Sequence, residues 1–240
     1  MTVLAAALLL VDPIFHAADA RGAAVVLDVR TGEVVAARDP DRSVLPLSVI
    51  KLYVAADFWE RGLEGSLDDM LVFGLDQPGK DRALELRKKI GGAAVLDDLR
   101  RMGLPLSLPA DAGDATWGET LSIGEEHARV TPLQVARFLR EVAAARTRTG
   151  HELQRAMREC VLRGTARSVA PRQAGARFSL GGKTGTGPAG AKPYDGWFAG
   201  LIFVGDEPRY TVAVYVDGKG PGGGVAASIA AELARSLLPK

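Results

Sequence analysis

The hydrophobic rhythm of the chain changes twice, from strand-like to helical and back, and this order constrains the fold more than any other feature. Residues 22–28 and 33–37 are short β-rich runs separated by the turn signal Arg30-Thr31-Gly32, which together predict a hairpin. From Ser48 the pattern becomes helical: Ile50, Val54 and Phe58 recur at i+4, with Gly62 as a stop. Further helices are expected over 82–90, 93–102, 131–145 and 152–162, with a Pro- and Gly-bearing connection at 105–118. Strand character returns at 177–182, 195–204 and 209–217, and a helix over 225–238 closes the chain. The pattern predicts an α/β (α+β) fold with one antiparallel sheet built from both chain ends and flanked by helices. A mostly helical lobe is inserted, leaving a cleft between the lobes. The expected division is a single domain over 22–240, with an α/β lobe (22–47 plus 175–240) and a helical lobe (48–174). The glycine-rich stretch 218–224 is expected to be a mobile loop.

Composition narrows the function. With 240 residues, 47% hydrophobic and 25% charged, the chain can bury a core, which excludes disordered and collagenous classes. A net charge of +1 gives no basic field for nucleic acid. The lone Cys160 cannot form an internal disulfide, and His16, His127 and His151 are too scattered for an ordinary zinc site, so no metal or cofactor is expected. Residues 1–21 leave two readings open, a signal-like leader or a helix packed on the fold. The apolar run at 3–11 is too short to span a membrane, and Ala18-Asp19-Ala20 resembles a cleavage pattern, but no Lys or Arg precedes Arg21.

Two segments can carry chemistry. Ser48-Val49-Ile50-Lys51 places a hydroxyl and an amine on one helical face, a nucleophile beside a base if burial lowers the lysine's pKa. The hydroxyl also sits near unpaired backbone N–H groups of the first turn. By itself the spacing equally describes an N-cap and a solvated lysine, since about 0.3 such pairs arise by chance from this composition. The second segment is Gly181-Gly182-Lys183-Thr184-Gly185-Thr186-Gly187, on or at the end of a strand, whose glycines allow close approach of another backbone. Lys183 and Thr184 can hold a terminal carboxylate there. A phosphate loop would lead into a helix, whereas Pro188 follows here.

Ser48-x-x-Lys51 followed by Lys183-Thr184-Gly185 resembles the pattern of the penicillin-recognising serine enzymes, which include β-lactamases and penicillin-binding proteins. Gly22–Asp28 with Thr31-Gly-Glu-Val34, Ser122-Ile-Gly124 with Val130-Thr-Pro-Leu-Gln134, Arg163-Gly-Thr-Ala166 and Trp197-Phe-Ala-Gly200 are similar to landmarks of a penicillin-binding protein transpeptidase domain, in the same order. The resemblance implies a β-lactamase/transpeptidase-like fold and acyl transfer of the D,D-transpeptidase or carboxypeptidase type through a Ser48 acyl-enzyme, with a peptidoglycan stem peptide or a β-lactam as partner. It assigns proton transfer to Lys51 and carboxylate binding to Lys183 and Thr184. The backbone N–H groups of Ser48 and Thr186 would form the oxyanion hole. It also implies an extracytoplasmic location, with envelope protein partners unspecified. A β-lactamase and a catalytically impaired binding module are the alternatives.

One family element is missing. The family carries Ser-x-Asn between the two segments, and this chain contains no asparagine. The nearest substitutes are Ser66-Leu67-Asp68 and, preferred by its distance to the following helix, Gly79-Lys80-Asp81, so Lys80 and Asp81 are the expected middle-motif residues. Gly74 to Lys80 also fits the first seven positions of a Walker A loop, but Asp81 stands where Ser or Thr is required. Glu119, Glu125 and Glu126 read as a solvated acidic turn, Trp197 and Phe198 as core, and Cys160 as a small buried residue.

Overall fold

The computed structural model describes residues 11–187 and 194–239; the apolar run at 3–10 and Pro188 lie outside the described residues. Five strands form one antiparallel sheet: β1 (Arg21–Asp28), β2 (Val34–Arg38), β3 (Ser179–Gly187), β4 (Asp195–Val204) and β5 (Glu207–Asp217). Their spatial order is β2-β1-β5-β4-β3, so strands from the two ends of the chain meet where Val25 pairs with Ala213. The expected sheet from both chain ends is present.

Period-2 alternation gives this sheet two cores. Val25, Leu27, Ala199, Leu201, Phe203, Ala213 and Tyr215 face the helical lobe. Ala24, Val26, Phe198, Ile202, Val212, Val214 and Val216 face the opposite side. Burial on both faces explains why nine of the ten residues of β4 are buried, with only Val204 outside.

On the far side, α9 (Val225–Leu237) packs beside α1 (11–17), whose Val11 and Phe15 are fully buried. The helical lobe is built around α2 (Ile50–Glu60), buried from Ile50 to Trp59 and ended by Gly62 at φ +71°. A helix apolar on all sides belongs inside a lobe. Around it lie α3 (Asp68–Leu71), α4 (Asp76–Ile90), α5 (Gly92–Arg101), α6 (Asp114–Ile123), α7 (Pro132–Ala144) and α8 (Arg148–Leu162). At the start of α7, the Thr131 hydroxyl accepts from Gln134 N–H and the Gln134 side chain accepts from Thr131 N–H, with Pro132 in the first turn.

Three expectations change. Helix α4 starts at Asp76 instead of residue 82, because Pro78 and Gly79 lie in its first turns, where a missing N–H costs nothing. The first half of α6, 114–118, occupies the end of the expected connection at 105–118, anchored by the fully buried Trp117. The stretch 218–224 is tied down. Gly220 N–H donates to Tyr194 O, Gly222 N–H to Thr186 Oγ1 at 3.1 Å, and the Ser168 hydroxyl to Gly223 O. Among the described residues, no helix is long and apolar enough to cross a membrane.

Candidate active site

Ser48 sits in a single 3-10 turn, Leu47–Val49, that leads directly into α2. The preceding Leu47 has φ +51°, a conformation that costs a non-glycine residue energy and persists only when its surroundings enforce it. Leu47 N–H donates to Gly124 O at 3.2 Å. Its side chain fills the space where side chains on Gly185 and Gly187 would stand, within 3.1 and 2.4 Å of their ideal Cβ positions. Trp197 Nε1 donates to Leu45 O at 2.8 Å, tying the approach to the turn onto β4. The glycines of β3 thus seat the serine turn against the sheet.

Lys51 lies one turn later and is fully buried. Its Nζ is 3.3 Å from Ser48 Oγ, 2.9 Å from Gly74 O and 2.6 Å from Asp76 Oδ1. Burial lowers the pKa of Lys51, and the hydrogen bond and charge of Asp76 oppose that shift. Lys183 is buried on β3, its Nζ donating to Thr184 O at 2.8 Å. Burial brings its pKa down to about 8, with the positive charge of Lys51 acting in the same direction. Gly74 stands between the two lysines, its carbonyl on Lys51 and its ideal Cβ position 3.6 Å from Lys183 Nζ. The Thr184 hydroxyl is 2.6 Å from that of Thr165, which is 3.3 Å from Cys160 Sγ.

The structure therefore seats the Ser48 turn, with Lys51 beside it, against the strand that carries Lys183, Thr184, Gly185 and Thr186. Lys80 and Asp81 are engaged elsewhere. Lys80 Nζ lies 3.6 Å from Glu119, and Asp81 Oδ1 accepts from Gln77 at 2.8 Å. Of the Gly79-Lys80-Asp81 triplet it is Gly79 that borders the site, its ideal Cβ position 3.0 Å from Lys51 Cε and 2.5 Å from Ser122 Oγ. Helical periodicity turns the residues after Gly79 away. The other candidate, Asp68, accepts from Arg155 and Arg163. Glu125 lies at the end of β3, its Oε1 3.3 Å from the ideal Cβ position of Gly187, with its pKa raised by burial and by the charges of Glu126 and Asp76. Asp195 accepts from the Tyr215 hydroxyl and from Gly218 N–H, a structural use.

Sequence reasoning missed four contributors. Asp76 and Gly74 lie in the stretch weighed as a Walker loop. Ser122, whose hydroxyl donates to Asp76 O at 2.8 Å, and Thr165 lie within the quoted landmarks. No local pattern marks Asp76, because its partner is 25 residues away and is met only through tertiary packing.

A five-stranded antiparallel sheet against a helical lobe, with a serine in the turn leading into the central buried helix, a lysine on that helix and a Lys-Thr-Gly strand against the turn, defines the architecture of the penicillin-recognising proteins. The penicillin binding protein transpeptidase domain model matches residues 85–235, and the chain belongs to that family. The match covers Lys183–Gly187 and leaves Ser48 and Lys51 outside it. Among solved structures, the transpeptidase domain of the FtsI4 D,D-transpeptidase from Legionella pneumophila superposes with TM-score 0.79 at 20% identity, covering 98% of this chain and 96% of that one. The D,D-transpeptidase domain of a peptidoglycan glycosyltransferase from Eggerthella lenta gives 0.75 at 15%, covering 98% and 81%. PBP2 of Helicobacter pylori, solved in complex with MreC, gives 0.74 at 17%, covering 94% and 61%. These similarities show a shared fold. No curated protein sequence matches the chain significantly.

Proposed function

We propose that this domain is a D,D-transpeptidase that cross-links peptidoglycan stem peptides through a Ser48 acyl-enzyme. The observation that carries the proposal is Lys51 Nζ at 3.3 Å from Ser48 Oγ, on a turn seated against the strand that bears Lys183 and Thr184. Ser48 Oγ bonds to the penultimate D-alanine carbonyl carbon as its proton passes to Lys51, and the backbone N–H groups of Ser48 and Thr186 receive the negative oxygen. Lys183 and Thr184 hold the terminal carboxylate. Collapse breaks the C–N bond and the departing D-alanine nitrogen takes the proton; an acceptor amine then bonds to the acyl carbon, the ester C–O bond breaks, and the amine's proton returns through Lys51 to Ser48 Oγ. Family membership supports an extracytoplasmic site of action. The complex of the H. pylori structure with MreC supports an envelope protein as a further partner.

The test is intact mass followed over time after adding a penicillin, with Ser48→Ala as control. A stable adduct lost in Ser48→Ala supports the reading. Rapid turnover of penicillin would make the domain a β-lactamase, and ligand binding without an adduct would make it a binding module. An adduct that persists in Ser48→Ala would move the nucleophile to another residue.

A further inference from the structure

The family's middle motif supplies a hydroxyl and an amide beside the lysine, and here that place is differently furnished. Gly79 contributes no side chain, and Ser122 Oγ is turned to Asp76 O. The group that reaches Lys51 is the carboxylate of Asp76, at 2.6 Å, from the first residue of α4. Asp76 and the Gly74 carbonyl can only accept, so they fix two N–H bonds of Nζ and leave its third direction on Ser48 Oγ. In the ammonium form that direction holds an N–H, which donates to the serine. In the neutral amine it holds a lone pair, which can take the serine's proton.

We propose that Asp76 is a positioning residue that aims Lys51 at Ser48 and, through its charge, sets the pH above which Lys51 becomes a base. The inference rests on the proposed acyl-transfer reading of this site. The other groups around the pair are few: Lys183 from β3, which repels the charge on Lys51; Cys160 from α8, which acts on Lys183; and Glu125 from the loop after α6, which feels Asp76. Asp76 is thus the anion in direct contact with Lys51. Its side chain is 56% exposed while that of Lys51 is wholly buried, so the pair spans the boundary between cleft and interior. A carboxylate there favours the charged lysine. It therefore moves the onset of acylation to higher pH than the same lysine would show beside an amide.

Asp76→Asn keeps an acceptor oxygen and removes the charge, whereas Asp76→Glu keeps the charge. Two measurements separate this inference from the reading beneath it. The first is the titration of the Lys51 Cε resonance by NMR in 13C-lysine-labelled protein, assigned with Lys51→Arg, which needs no reaction at Ser48. The midpoint is expected to fall by at least one pH unit in Asp76→Asn and to stay near wild type in Asp76→Glu. The second is the pH dependence of penicillin acylation. Its acidic limb is expected to move down by the same amount, about tenfold in rate per unit on that limb. An unmoved Lys51 midpoint in Asp76→Asn overturns the inference, as does a midpoint that rises. A lowered midpoint with no adduct in any variant supports the role of Asp76 and overturns the acyl-transfer reading. A lowered midpoint with an unmoved limb overturns the claim that Lys51 is the base.

Discussion

Gly124→Ala tests how the fold aims Ser48. Gly124 ends α6 at φ +73°, and its ideal Cβ position lies 2.2 Å from Leu47 O and 2.7 Å from Leu47 N. The obstruction is backbone, so a rotamer change cannot relieve it. The left-handed conformation alone costs an alanine about 1–2 kcal/mol. Overpacking adds about 1–3 kcal/mol. Together roughly 2–5 kcal/mol is expected, which lowers Tm by roughly 4–20 °C for a domain of this size. The serine turn must shift by about 1 Å, and a misplacement of that size costs roughly 10²-fold in rate. Gly62→Ala is the matched control. At φ +71° it carries the same conformational cost, but its ideal Cβ position has nothing within 4 Å. It is expected to lose only about 1–2 kcal/mol and to acylate at the wild-type rate. The assay is thermal unfolding of both variants beside penicillin acylation followed by intact mass. Equal stability losses together with equal acylation rates would refute the claim that the Gly124–Leu47 contact positions the nucleophile.

Other perturbations read other parts of the structure. Phe15→Ala removes a fully buried ring that also lies 5.1 Å from the Arg38 guanidinium. The expected loss is about 3–5 kcal/mol in urea unfolding, and a loss below about 1 kcal/mol would mean that residues 11–17 are not part of the core. Lys183 has a folded-state pKa of about 8 against an ordinary 10.5. Between those values the unfolded chain binds a proton that the folded chain does not, so this group makes stability rise with pH across that window. Lys183→Met is expected to flatten the rise in urea midpoint from pH 8 to 10, and an unchanged slope would contradict the burial argument. Thr186→Val removes the acceptor for Gly222 N–H. Exchange of the Gly222 amide is expected to accelerate about fivefold to tenfold, the worth of one hydrogen bond of about 1 kcal/mol. Unchanged protection would show that other contacts hold the loop.

The parts legible in the sequence are those fixed by local periodicity. The alternation of Val25 and Leu27 against Ala24 and Val26 carries the sheet, and Ile50, Val54 and Phe58 mark the central helix. The Ser48 and Lys183 segments were legible as fixed spacings of reactive groups. What escaped was written in residues that look like breakers. Pro78 and Gly79 read as loop, yet Gly79 leaves the space that Ser122 Oγ fills. Gly118 likewise admits Lys80, whose Cβ is 3.3 Å from the ideal Cβ position of Gly118, so α4 and α6 can pack closely. Glycine has no periodic signature. Its use as a packing surface depends on which element arrives opposite, and that is decided by the tertiary fold. The Asp76–Lys51 pair escaped for the same reason.

The glycines of β3 admit the protein's own side chains on the faces of the strand, a use that their sequence alone does not display. From sequence, their lack of side chains lets an extended peptide lie along the strand's edge. In the fold, Gly185 and Gly187 admit Leu47, and Gly182 admits Phe198, whose Cζ is 2.4 Å from the ideal Cβ position of Gly182. The faces of the strand are therefore occupied by the protein itself. What remains is its edge. Among the described residues β3 is the last strand of the sheet and pairs only with β4, so a peptide in the proposed reaction would meet backbone groups along that edge. The same contacts seat the Ser48 turn against the strand, because Leu47 is both the residue the glycines admit and the neighbour of the nucleophile. Substituting Gly185 would accordingly act on the position of Ser48 before it acted on the substrate.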